Sequence, residues 1–272
     1  MERSSTSPSR CPACGQPSQV LWVHGHGQCE HCGTNTAPCC DGAANEAAPA
    51  SAPPRAVLFD LDGTLIDSLA DIARAANHVR ERRGLAPLPP RAVAACVGDG
   101  ATELVRRVLE TPYLDDLELR EEVRSYRQFY EEHPVVETQL YPGIRELIED
   151  LRADGRALAV VTNKPEEISR RILRALELER PFGALIGGDS AAERKPSALP
   201  IRLALERIGA ESREAWMIGD GAQDVRAARA AGVVACAVGW GFGDRAALAE
   251  AKPERRVSDV AALRRLLGLS RR

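Results

Sequence analysis

Two carboxylates separated by one residue, Asp60 and Asp62, follow the apolar run Val57-Leu58-Phe59 and precede Gly63. That run is too short for a helix and reads as a strand buried on both faces of a parallel sheet. Both acids therefore arrive at the carboxyl end of a strand, facing a crevice. Asp-x-Asp-Gly also suits a solvated turn, since Asp and Gly are favoured there. A calcium loop is the poorer reading, because it needs a preceding helix and a glycine at its sixth position, where Leu65 stands. The second candidate chemistry lies in Cys11-Pro-Ala-Cys14-Gly15 and Cys29-Glu-His-Cys32-Gly33, two copies of one pattern. Cys11, Cys14, Cys29 and Cys32 could close a tetrahedral structural zinc site of ribbon type. A redox Cys-x-x-Cys is the alternative, but the duplication and the lack of a surrounding strand-helix unit argue against it. His24, His26 and His31 could substitute as ligands, and Cys39 and Cys40 are spare.

The rest of the chain must position these groups. Its 272 residues, 44% of them hydrophobic, allow one sizeable domain and an accessory piece. A net charge of -3 gives no electrostatic case for nucleic acid. The first residues lack the apolar segment of a signal peptide, and no apolar run reaches membrane-spanning length. The expectation is a cytoplasmic protein whose clustered cysteines bind metal rather than pair as disulfides. Residues 1–40 read as a zinc-ribbon-like module that could contact a protein partner or hold a dimer. Residues 41–54, rich in Ala and Pro, read as a flexible tether. Residues 69–138 carry runs of helical spacing, broken at Gly84 to Pro90, and read as an all-helical insert without strand alternation. Residues 55–68 and 139–272 supply repeated strand-helix units, which predict an α/β fold with a doubly wound parallel sheet.

Within that sheet, Ala157 to Thr162 is a strand ending in a hydroxyl beside the amides of a following helix, a place suited to a phosphate group or to an ordinary cap. Phe182 to Gly188, Ala215 to Asp220 and Val233 to Val238 are further strands, with Lys195-Pro196 and Asp224 between them. Ligands of such sheets bind outside the carboxyl ends of the strands, where Asp60, Thr162, Lys195 and Asp220 all arrive.

The string Asp60-Leu61-Asp62-Gly63-Thr64-Leu65, with Thr162, Lys195-Pro196 and Gly219-Asp220 in that order, resembles the motif set of the haloacid dehalogenase superfamily. The resemblance covers residues 56 to 270 and implies a Rossmann-like hydrolase core with an inserted helical cap. It implies that Asp60 is the nucleophile forming an aspartyl-phosphate, and that Asp62 protonates the leaving alkoxide and later activates water. It further implies a magnesium ion held by Asp60, Asp220 and the Asp62 carbonyl, with Asp224 as ligand or orienting group. Lys195 would add a third positive charge, and Thr162, Asn163 and the amides of Leu61 and Asp62 would hold the transferring oxygens. Charge makes the cation necessary. At about 4 Å and an effective dielectric near 20, each unit pair of like charge costs about 4 kcal/mol, so a carboxylate nearing a dianionic phosphate meets roughly 8 kcal/mol.

Asp62 favours phosphoryl transfer over dehalogenation, which has no alkoxide to protonate. The loops Gly98-Asp99-Gly100 and Gly239 to Gly243 resemble those of phosphoglycolate phosphatases. The expected substrate is thus a small phosphorylated metabolite, 2-phosphoglycolate first, with Arg106 and Arg107 as candidates to meet its carboxylate. Pyrophosphate, nucleotides, sugar phosphates and a phosphosugar mutase reaction stay open. A different class of reading makes the chain a zinc-ribbon binding protein with the hydrolase fold as scaffold. The intact acids and Lys195 argue against it.

Overall fold

The computed structural model describes residues 20–23, 26–29, 35–37, 53–110 and 115–269. The chain forms two compact units, Met1–Ala52 and Pro53–Arg272. In the first, β1 (Val20–Val23), β2 (His26–Cys29) and β3 (Asn35–Ala37) form an antiparallel three-stranded sheet. Cys29 closes β2, while Cys11, Cys14, Cys32, His24, His31, Cys39, Cys40 and the tether through Ala52 lie outside the described residues.

The second unit is built on a six-stranded, wholly parallel sheet of order β11-β10-β9-β4-β7-β8. Its strands are β4 (Ala56–Phe59), β7 (Ala157–Val161), β8 (Ala184–Ile186), β9 (Ala215–Gly219), β10 (Val234–Val238) and β11 (Arg255–Val257). β4 is buried along its whole length and its side chains alternate between two cores, which is what a sheet covered on both faces requires. Val57 and Phe59 join a core of large residues that includes Leu147, Ile148, Ile168 and Ile172. Ala56 and Leu58 join one rich in small residues, among them Ala159, Ala204, Ala227 and Ala228, so the helices on that side approach closely.

Helices α5 (Ile144–Ala153), α6 (Glu166–Ala175), α7 (Leu199–Ile208), α8 (Ala222–Ala231), α9 (Arg245–Glu250) and α10 (Val260–Leu266) connect or follow these strands. Ile144, Leu147, Ile148 and Leu151 face inward on α5, as their spacing predicts. Between β4 and α5 stand α1 (Leu69–Arg82), α2 (Pro90–Ala94), α3 (Ala101–Leu109) and α4 (Asp116–Glu132). They are flanked by a two-stranded antiparallel sheet, β5 (Ile66–Asp67) against β6 (Gln139–Leu140), where the chain leaves for these helices and returns from them.

Two features differ from the expectation. The strand read from Phe182 to Gly188 is only Ala184–Ile186; just beyond it the chain passes so close to the start of α6 that a Cβ on Gly187 would sit 2.4 Å from the Glu166 amide nitrogen. The strands β5, β6 and β11 were not anticipated, since two or three residues carry no readable period.

The sheet order puts the switch in chain direction at β4. From β4 the chain runs outward to β7 and β8, then crosses back to β9 on the other side. In register, Phe59 stands opposite Val160 on one neighbour and Ile218 on the other, so the residues after β4, β7 and β9 emerge at one level. Asp60 donates its N–H to the Ile218 carbonyl (2.8 Å) and Thr162 donates to that of Ile186 (2.9 Å), which continues the ladder to the sheet edge.

Candidate active site

At that edge Asp60 follows β4, Asp220 follows β9, and Asp224 lies one turn into α8. All three are buried, and each offers a carboxylate oxygen within 4.8 Å of the others. Lys195, 1% exposed, reaches in from the loop after β8. Its ammonium stands 2.9 Å from Asp60 Oδ1 and 2.7 Å from Asp224 Oδ1, and donates to the Val161 carbonyl at 2.6 Å.

Holding these groups so close takes unusual backbone. Gly63, at φ +77°, lets the chain pass where a Cβ would lie 2.1 Å from Asp220 Oδ2. From the other side, a Cβ on Gly241 would lie 2.3 Å from the same oxygen and from the Gly63 carbonyl. The loop from Gly239 to Gly243 thus packs directly on the acids. Gly243 donates its N–H to Asp220 Oδ2 (2.8 Å), and the Trp240 indole donates to the Thr64 carbonyl (3.1 Å). Asp224 Oδ2 accepts the Gly221 N–H at 3.0 Å.

Burial sets the electrostatics. It raises the Asp60 carboxyl to about 7; Lys195 opposes the shift and Asp224 adds to it. Burial also holds Asp220 well above the usual carboxylate range, with Asp60 and Asp224 pushing the same way. For Lys195 burial disfavours the charge, yet Asp224 and Asp60 outweigh it and its affinity for a proton is raised. Three ionised carboxylates and one ammonium sum to a formal charge of -2, which a divalent cation would neutralise. Asp60 Oδ1 and Asp224 Oδ1 are buried without a well-aligned hydrogen bond, the Lys195 contacts being close in distance only. An all-oxygen donor set with free lone pairs fits a hard cation such as magnesium.

A cavity of about 60 Å³ opens beside the acids. Asp60, Asp62, Thr162, Asn163, Lys195 and Asp220 line one end, and Ile72, Val97, Leu104, Ile168 and Phe242 supply apolar wall, with Gly98 and Gly100 from the loop before α3. The Asp62 carboxylate accepts from Ser68 Oγ and from Lys164 Nζ, at 3.0 Å to Oδ1 and 3.2 Å to Oδ2. Lys164 Nζ also donates to Tyr130 Oη (2.9 Å) on α4. Burial pushes the Tyr126 and Tyr130 hydroxyls up, so they keep their protons.

Not every expected site residue reaches this cavity with a free group. Asn163 lines it, but both its side-chain N–H groups are directed elsewhere, to the Gly98 carbonyl (2.8 Å) and the Lys195 carbonyl (2.9 Å). Its Oδ1 accepts the Lys195 N–H (2.9 Å), so Asn163 grips the lysine's backbone at both ends rather than offering donors to a substrate. Thr162 Oγ1 accepts the Lys164 N–H at 3.2 Å. Arg106 and Arg107 are corrected outright as cavity residues. They lie on the outer side of α3, Arg106 paired with Glu103, and Arg107 with Asp99 (2.6 Å) and Glu103 (3.6 Å). The inner face of α3 carries Leu104, Val105 and Val108 instead.

Lys164, Tyr126, Tyr130 and Ser68 were missed as site residues. Lys164 could have been suspected from its place after Thr162-Asn163, whereas Tyr126 and Tyr130 sit in an amphipathic run that signals only packing.

Buried carboxylates around a lysine, at the switch point of a doubly wound parallel sheet, define an α/β protein of Rossmann-like build with a cation-ready acidic site. The chain belongs to the haloacid dehalogenase-like hydrolase family, whose model matches residues 57–238. It is 43% identical over 197 residues to a phosphoglycolate phosphatase of Chromobacterium violaceum, covering 71% of this chain and 89% of that one. Among solved structures, a predicted phosphoglycolate phosphatase from Haemophilus somnus 129pt is similar with a TM-score of 0.74 at 30% identity, over 79% of this chain and 98% of that one. CbbY from Rhodobacter sphaeroides, in complex with phosphate, is similar with a TM-score of 0.68 at 26% identity, over 79% and 100%. The chain is a phosphoric monoester hydrolase. Phosphatases of this family generally use magnesium. Among the described residues no helix is long and apolar enough to cross a membrane.

Proposed function

We propose that this chain hydrolyses 2-phosphoglycolate to glycolate and phosphate, through an aspartyl-phosphate on Asp60. The observation that carries the reading is the buried cluster of Asp60, Asp220, Asp224 and Lys195 beside a cavity too small for a peptide or folded nucleic acid. Asp60 attacks phosphorus as the bond to the ester oxygen breaks, and Asp62 gives its proton to the departing alkoxide. Asp62 then takes a proton from water, whose oxygen attacks phosphorus and frees Asp60 and phosphate. Lys195 offsets negative charge on the transferring oxygens, and Thr162 with the amides of Leu61 and Asp62 orients them.

Magnesium would be held by Asp60, Asp220 and the Asp62 carbonyl, with Asp224 as ligand or orienting group. When bound it supplies two positive charges against the repulsion between carboxylate and phosphate. Helices α1 to α4 would act as a cap that keeps bulk water from the cavity. Cys11, Cys14, Cys29 and Cys32 would hold one structural zinc, a reading supported by their paired turns in the sequence.

The test is a magnesium-dependent assay over a panel of small phosphorylated metabolites. The highest kcat/KM is expected for 2-phosphoglycolate. A sugar phosphate preferred tenfold over it would sink the substrate assignment.

A further inference from the structure

Lys164 enters the cavity from the loop after β7, and its place is not explained by phosphoryl transfer. Of the two lysines that line the cavity, Lys195 is engaged by Asp60, Asp224 and the Val161 carbonyl. Lys164 is held by different partners, the Asp62 carboxylate and Tyr130 Oη, and its ammonium lies 4.1 Å from the centre of the Tyr130 ring. Its three hydrogens meet Asp62 Oδ1, Asp62 Oδ2 and Tyr130 Oη, the Oδ2 contact at 3.2 Å being the longest, and that donor is the one a second carboxylate would take over once Asp62 carries a proton. Its side chain is 5% exposed, and desolvating an ammonium is costly unless the site gives it anionic company.

We propose that Lys164 is the specificity-determining cation of this site, taking the carboxylate that a substrate carries beyond its phosphate. The inference rests on the phosphoglycolate reading above and names the residue that would enforce it. The geometry follows from Asp62. A leaving oxygen that accepts a proton from Asp62 must come within about 3 Å of it, and Lys164 Nζ already lies 3.0 Å from Asp62 Oδ1. The leaving oxygen and the ammonium are therefore neighbours across one carboxylate. In glycolate the carboxylate carbon is two bonds from that oxygen, so its own oxygens lie roughly 3 Å further on. A carboxylate there falls within reach of Lys164, whereas Arg106 and Arg107 are turned away on the outer side of α3. Tyr130, on α4, also holds the ammonium through its hydroxyl.

The experiment compares 2-phosphoglycolate with 2-hydroxyethyl phosphate, which replaces the carboxylate by a neutral hydroxymethyl group of similar size. The full-length wild type, Lys164→Met and Lys164→Arg are assayed on both with magnesium. The wild type is expected to favour the carboxylate substrate. Lys164→Met is expected to reduce that ratio of kcat/KM values by roughly 30- to 100-fold, the loss of one charge-assisted contact. Lys164→Arg is expected to keep most of the ratio. If the wild type shows no preference, the phosphoglycolate reading itself fails. If the wild type prefers the carboxylate but Lys164→Met lowers both substrates equally, Lys164 acts only through Asp62 and the inference is overturned. Should Lys164→Met not fold, Lys164→Gln, which keeps a donor for Asp62 without the charge, is read in the same way. Titration of 2-phosphoglycolate and 2-hydroxyethyl phosphate into Asp60→Asn protein, with and without the Lys164 change, reads the same ratio as binding. An unchanged binding ratio there also overturns it.

Discussion

Asp71 on α1 holds down the segment that returns from the helices to the sheet, and removing its charge should loosen that junction. Its Oδ2 accepts the N–H groups of Val136 (3.0 Å), Glu137 (3.0 Å) and Thr138 (2.9 Å) and the Thr138 hydroxyl (2.7 Å), and Arg74 pairs with Oδ1. Burial disfavours its charge, but the bonds from Thr138, Val136 and Glu137 outweigh that and lower its affinity for a proton. In Asp71→Asn the amide oxygen can keep these donors, yet each bond to a neutral acceptor is worth about 1 kcal/mol less than one to a charged acceptor. Four such losses, offset in part by the lower cost of burying a neutral group, give a destabilisation of about 2 to 3 kcal/mol. Asp71→Ala strands all four donors and should cost about 4 kcal/mol.

The sign of the pH dependence follows from the lowered affinity. The contribution is fully present above the unfolded carboxyl value near about 4 and is lost as pH falls through the lower folded value. Urea unfolding of wild type and Asp71→Asn at pH 7 should therefore show the gap, and repeating it toward pH 3.5 should show it narrowing. Hydrogen exchange provides the local readout, with faster exchange at Glu137 and Thr138. A gap below about 0.5 kcal/mol at pH 7, or one that widens on acidification, would refute the argument.

Three further outcomes are expected. Because Asp60 and Asp220 hold protons more tightly than ordinary carboxyls, with Asp60 near 7, magnesium must displace protons below that pH; calorimetry should show its Kd rising at least about fivefold from pH 7 to 6. Gly63→Ala places a Cβ against Asp220 in a left-handed backbone conformation, so it should cost more than tenfold in magnesium affinity as well as about 1 to 2 kcal/mol of stability in thermal melts. Removal of Met1–Ala52 should leave a folded, active hydrolase with no bound zinc, checked by metal analysis and turnover.

How much of this was legible beforehand depends on the kind of signal. β4, β7, β9 and β10 are buried runs ending in Asp60, Thr162, Asp220 and a glycine loop, and apolar runs bounded by such residues are plain in a sequence. Their juxtaposition could be inferred from strand-helix alternation alone. Asn163 could not be read correctly, because its partners, Gly98 and Lys195, are 65 and 32 residues away and only the fold decides where an amide points. Arg106 and Arg107 failed for a related reason. Proximity to Gly98 and Gly100 along the chain said nothing of which side of α3 they occupy, whereas the apolar positions Leu104, Val105 and Val108 assign that side inward. Asp71 was invisible, since its value lies in backbone donors more than sixty residues away.

The central claim is that Asp60 carries the phosphoryl group. Acid quench of wild-type protein within one turnover of labelled 2-phosphoglycolate and magnesium, followed by mapping of the labelled peptide, tests it directly. The account predicts label on the peptide containing Asp60 in the wild type and none in Asp60→Asn. Label transferred to Asp60→Asn at the wild-type rate would contradict it.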